Sequence, residues 1–210
     1  MLLPRVIAQI RELAPAVELR IKPGFAGAID ALDSNRLDLA IASYRRVPER
    51  FGAQDLLHER HVWALRSDHP AAATPLTLER LAQLPHLMGA TLDDDDADLP
   101  ALGRGLERRA IQDDDGALLR ALAGIGQQRH VQLTISDTFA ALAIAGESDL
   151  AALVPYRMGA ALAGRFGLSL FDPPYETLSV PLSMVWHRGH GASPAAEWLR
   201  SVVLDAAQSL

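Results

Sequence analysis

Ser136-Asp137-Thr138 follows the alternating run Val131, Leu133, Ile135 and precedes Phe139, Leu142 and Ala143. Hydroxyls and backbone N–H groups at the start of a helix can hold a carboxylate or phosphate through hydrogen bonds and the helix dipole. The same residues also suit a plain helix cap, and Asp137 would repel an anion if it pointed into the site. The other chemically suggestive spacings point to less. His58-Glu59-Arg60-His61 places two histidines three apart at a strand entry, which is not the spacing of a zinc-binding helix, and reads as surface histidines. His187-Arg188-Gly189-His190 reads as a solvated turn. The Asp93 to Asp96 run lacks the glycine and the glutamate of a calcium loop at the required offsets and reads as a charged loop. Gly124-Ile125-Gly126 has no third glycine and no clear strand before it, and Gly146-Glu147-Ser148 lacks the closing glycine of a nucleophile elbow. No cofactor motif and no metal-ligand set emerges. An enzyme would need a site assembled from distant positions.

The elements that would hold these residues can be read from periodicity. Leu3, Ile7, Ile10 and Leu13 share a helical face, with Pro4 in the first turn and Pro15 closing the helix. Val17, Leu19 and Ile21 alternate with Glu18 and Arg20 as a half-buried strand. Further strands are expected over 37–42, 61–65, 131–135, 150–154 and 168–171. Short helices are expected over 29–32, 78–84, 118–122, 139–143 and 158–163. Leu178, Val180, Leu182, Met184 and Trp186 alternate strictly, and Pro181 within that run predicts an edge position or a bulge. Ser193-Pro194 opens a final amphipathic helix through Trp198, Leu199, Val202 and Val203. Strands alternating with short helices predict βαβ units and a mostly parallel, helix-covered sheet. Ligands in such sheets sit beyond the carboxyl ends of the strands, which selects Phe25, Ser43, Thr91 and Ser136 to Thr138.

Composition narrows the class. The 210 residues are 49% hydrophobic and 22% charged, with no cysteine. That composition excludes a disordered tail, a disulfide framework and thiolate catalysis. No apolar run is long enough to span a bilayer, and no secretory signal opens the chain. Nine acids (Asp93 to Asp96, Asp98, Glu107, Asp113 to Asp115) face three arginines (Arg104, Arg108, Arg109) within one segment. That segment carries the whole net charge of −6. The balanced remainder offers no basic stripe for nucleic acid.

Several stretches, in order and spacing, resemble one family. Leu2-Leu3-Pro4-Arg5 through Leu13-Ala14-Pro15-Ala16-Val17-Glu18-Leu19 looks like the opening helix and strand of the effector-binding domain of LysR-type transcriptional regulators. Leu32 with Arg36-Leu37-Asp38-Leu39-Ala40-Ile41 resembles a later strand of that domain, and Leu57 through His69-Pro70 resembles its segment ending in Asp-His-Pro. Gln128 to Thr134, Phe139, Ser148 to Pro155, Val185-Trp186-His187-Arg188 and Trp198-Leu199-Arg200 are similar to the subgroup of nodulation and aromatic-degradation regulators.

The resemblance implies an α/β, periplasmic-binding-protein-like fold of two Rossmann-like subdomains joined by two crossover strands. Residues 1–68 plus 179–210 would form one subdomain and 69–178 the other. It implies a cytoplasmic, non-enzymatic sensing domain that pairs as a homodimer and takes a small-molecule effector, an aromatic acid in this subgroup. Phe25, Ser43, Thr91, Ser136 and Thr138 become the cleft residues, with Phe25 stacking on a ring and the hydroxyls fixing polar groups. The family's N-terminal helix-turn-helix and first strand are expected ahead of Met1, so DNA would be reached only through that absent domain. A stand-alone solute-binding protein of the same fold and an α/β enzyme with a dispersed site are the rival readings.

Overall fold

The computed structural model describes residues 1–22, 27–89, 107–108, 112–177 and 179–210. The chain divides into two compact units. The first takes the described parts of Met1–His58, Leu92–Arg109 and Pro181–Leu210, and the second takes those of Glu59–Thr91 and Ala110–Val180.

In the first unit, helix α1 (Leu2–Leu13) packs along α7 (Pro194–Gln208), and Leu2, Val6 and Ile10 meet Val202, Val203 and Ala206. This is a different stripe from the expected one, since Leu3, Ile7 and Leu13 are exposed. The apolar arc of α1 is wider than a single partner helix covers, so half of it is left outward. Strands β1 (Ala40–Ala42), β3 (Phe51–Glu59) and β10 (Val180–His187) form a sheet in the order β1-β10-β3. β10 is therefore central rather than an edge. Ser183, Met184 and Val185 are buried in succession because both faces of the strand are covered. Pro181 is tolerated because pairing with β1 begins only at Ser183. The short strands β2 (Tyr44–Arg46) and β6 (Glu107–Arg108) pair antiparallel beside this sheet. α2 (Ala28–Asp33) contributes Leu32 to a small core with Phe51 and Val185. The strand expected at Val17 to Ile21 does not form. Leu19 packs on the core while Val17 and Ile21 stay exposed, and no described strand lies alongside to supply a ladder.

The second unit is a three-layer sandwich. Strands β4 (His61–Arg66), β5 (His86–Gly89), β7 (Val131–Ile135), β8 (Ala151–Pro155) and β9 (Leu168–Phe171) form one sheet in the order β7-β5-β8-β4-β9. β5 runs parallel to β7 and β8, as expected, but β4 is antiparallel to both of its neighbours. β4 belongs here by hydrogen bonding, so this unit starts at Glu59, whereas the sequence reading begins it at residue 69. The unbroken apolar run of β4 follows from its central position. Trp63 and Leu65 point to one core with α3 (Leu78–Gln83) and α4 (Gln112–Gly124), and Val62 and Ala64 to another with α5 (Thr138–Glu147) and α6 (Tyr156–Phe166). Trp63 is fully buried and its indole N–H donates to Tyr175 Oη at 3.1 Å, so truncation to alanine would cost roughly 3–5 kcal/mol.

Candidate effector site

Because β5, β7 and β8 are parallel, their carboxyl ends lie on one edge of the sheet. There the chain leaves β5 at Gly89, β7 at Ser136 and β8 at Pro155, and these three exits border a small, shallow pocket open to solvent. Its wall is apolar, formed by Leu87, Ile135, Ala141, Leu153 and Val154, and its rim carries Ser136, Asp137 and Thr138. The polarity splits this way for a local reason. Alternating strand residues and the buried face of α5 supply the wall, while the β7–α5 turn supplies hydroxyls and helix-start amides.

Asp137 is the N-cap of α5. Its Oδ1 accepts the Ala140 N–H at 2.6 Å, and its carbonyl accepts the Ala141 N–H. One carboxylate oxygen is thus committed to its own helix, while the residue stays exposed. Helix geometry leaves the Thr138 and Phe139 amides without acceptors inside α5. Across the sheet edge, the start of α6 is already served, because Glu59 accepts both the backbone N–H and the guanidinium of Arg157 at 3.3 Å. A carboxylate or hydroxyl-bearing ligand would therefore find its partners at Ser136, Thr138 and the start of α5, with its apolar body on the wall. Among the described lining residues Asp137 alone has an ionisable side chain, and one of its oxygens is taken by the Ala140 N–H.

Of the residues selected from sequence, Ser136 and Thr138 come together here. Ser43 lies in the first unit, where its Oγ donates to the Pro181 carbonyl at 2.7 Å. Phe25 and Thr91 lie outside the described residues, as do Asp93 to Asp96. His187 is half-buried rather than a solvated turn residue. Its Nδ1 accepts the N–H groups of Gly189 and His190 at 3.1 and 3.3 Å, and its ring meets Phe51 edge-on. His58 is exposed, but His61 is buried, against the surface reading of that pair. Sequence reasoning passed over His86, the fully buried first residue of β5. Its Nε2 lies 2.9 Å from the Leu81 carbonyl, and its Nδ1 accepts from Arg129 Nε at 3.3 Å. Burial, with Arg129 and His130 nearby, pulls its pKa down to about 4. The available sequence signal was a histidine between Pro85 and the apolar pair Leu87-Met88, a place where a polar side chain must be buried.

Comparison with known proteins agrees with this architecture. The LysR substrate binding domain family matches residues 1–208. The regulator SyrM of Rhizobium meliloti is 24% identical over 208 residues, which is 99% of this chain and 58% of SyrM. The activator NagR of a Ralstonia species is 24% identical over 204 residues, 97% of this chain and 62% of NagR. The chain thus spans about three-fifths of the curated relatives it matches. Among solved structures, the regulatory domain of MexT, a transcriptional activator of Pseudomonas aeruginosa, shares the fold. Its TM-score is 0.75 at 22% identity, over 97% of this chain and 92% of that one. By the match of the family across nearly its full length, this chain belongs to the LysR substrate-binding (effector-binding) domains.

Proposed function

We propose that this chain is the sensing part of a LysR-type transcriptional regulator, taking a small-molecule effector and passing its presence to a DNA-reading domain in a longer cytoplasmic polypeptide. The observation that carries the reading is the pocket at the carboxyl ends of β5, β7 and β8, with Ser136 and Thr138 at the start of α5. An effector can drive such a response only if it prefers one arrangement of the protein over another, by a free energy of about the size of the shift it produces. The effector class we favour is an aromatic monocarboxylic acid. The resemblance to aromatic-degradation regulators supports this, as does a rim of hydroxyls and helix-start amides above an apolar wall. Calorimetry with benzoate on the wild type and Ser136→Ala tests the site. Weaker heat in the variant is expected, and equal heats would remove Ser136 from the contact.

A homodimer completes the reading. Leu3 and Ile7 on α1, and Leu119 on α4, are large apolar residues left exposed on helices whose other faces pack inward. The family's oligomeric habit makes a second copy of the chain the occupant we favour for these faces. Sedimentation of the wild type across a concentration series checks this, with a dimer expected and a monomer at all concentrations against it.

A further inference from the structure

Strand β7 carries the pocket's hydroxyls at its far end, yet its own burial fixes its position weakly. It is an edge strand in which Leu133 and Ile135 are half-buried and Val131, Gln132 and Thr134 are exposed. Its register therefore rests on those two half-buried side chains, on the ladder to β5 and on what holds the strand's entry. Its pairing with β5 also slips within one step. His86 faces Val131, but Leu87 faces Leu133, Met88 faces Thr134 and Gly89 faces Ile135, leaving Gln132 as an extra residue. That irregularity sets which residue of the chain emerges beside Gly89. Without it, the residues reaching the rim would move by one, and side chains would change face.

The slip occurs at His86. The His86 backbone N–H donates to the His130 carbonyl at 2.8 Å, and its side chain takes the Arg129 Nε–H at 3.3 Å. A guanidinium can only donate, so Nδ1 is the acceptor and the proton of the neutral ring sits on Nε2. That proton is directed at the Leu81 carbonyl, 2.9 Å away at the end of α3. The ring is also packed 4.8 Å from Trp63, centroid to centroid. Both nitrogens of a fully buried imidazole are therefore committed, one to α3 and one to the residue two before β7.

Resting on the pocket reading above, we propose that His86 is a positioning residue: through Arg129 it pins the entry of β7 in its slipped register and so delivers Ser136 and Thr138 to the effector pocket. The contact is made at one end of β7 and felt at the other, four peptide units along a strand whose described ladder is with β5 alone.

The test compares His86→Asn with His86→Gln by hydrogen–deuterium exchange at pH 7. The asparagine carbonyl can replace Nδ1 as acceptor for Arg129, whereas the glutamine amide can replace Nε2 as donor to Leu81. Both variants lose the ring and its contact with Trp63, so general loosening is common to both. In His86→Gln, amides 133–135 should exchange about tenfold faster than in His86→Asn, while β8 amides stay alike in the two. Equal exchange of β7 in both variants would overturn the proposal. Arg129→Met, at a half-exposed site, decides the matter if the His86 variants do not fold. It should loosen 133–135 to the same extent, and unchanged exchange there would overturn the proposal. Benzoate binding, followed in the same samples, should be weaker in His86→Gln than in His86→Asn. Failure of benzoate to bind even the wild type would count against the pocket reading alone, because the exchange result stands without a ligand.

Discussion

Asp137 accepts the amide of Ala140 at 2.6 Å, so the one acid on the pocket rim is spent on starting α5. The residue that looks from sequence like an obstacle to anion binding is the one that builds the helix start. Replacing it separates these two roles. Asp137→Asn keeps a good cap and removes the charge, so benzoate should bind as tightly or tighter, by roughly 0.5–1 kcal/mol. Asp137→Ala removes the cap and should cost about 1 kcal/mol of stability in a denaturant titration. Weaker binding in Asp137→Asn would mean that the carboxylate itself contacts the ligand.

The buried His86 ring links stability to pH. Its pKa in the folded protein lies near 4, below the ordinary value of 6.5, so the unfolded chain takes up the proton first as pH falls. The contribution of the neutral ring is complete above pH 6.5 and is lost progressively toward pH 4. The total is about 3 kcal/mol. Urea unfolding at a series of pH values checks this: the slope over that interval should shrink by close to one proton in His86→Asn. An unchanged slope would place the titration elsewhere.

Gly146, in α5, lies against the backbone of α6. A Cβ added there would collide with the Phe166 carbonyl oxygen, and a backbone oxygen cannot swing aside as a side-chain tip can. Gly146→Ala should therefore lower the stability of the second unit by about 1–3 kcal/mol despite the better helix propensity of alanine. Thermal unfolding followed by circular dichroism measures it.

Ile7 gives the homodimer a direct test. It is exposed on α1 while Val6 and Ile10 face the core, so Ile7→Glu should leave the fold intact. Sedimentation equilibrium should show the dimer weakened by roughly tenfold or more. Unaltered association would move the contact to another face.

Much of this was legible where the cause was local. Ser136-Asp137-Thr138 was readable as a helix start because capping involves residues within one turn, and its place beyond the end of β7 was readable from the strand run before it. The helix α7 was readable from Ser193-Pro194, and Ser193 does accept the Ala196 N–H. What depended on distant partners was not legible. Alternation at Val17 to Ile21 describes a strand's side chains but cannot supply a neighbouring strand. The stripe of α1 was misjudged because apolar residues span more of that helix than α7 covers. Pro181 suggested an edge, while the register with β1 lets it sit at the start of a central strand. His86 carried only the signal of a polar residue beside an apolar pair, since its role depends on Leu81 and on Arg129, which lies 43 positions away.

The central claim is that ligand binds at the start of α5, and a titration of the 15N-labelled chain with benzoate tests it most directly. Saturable amide shifts should concentrate at residues 136–139, with smaller ones at 87–89 and 153–155. Saturable shifts centred elsewhere, with 136–139 unmoved, would contradict it.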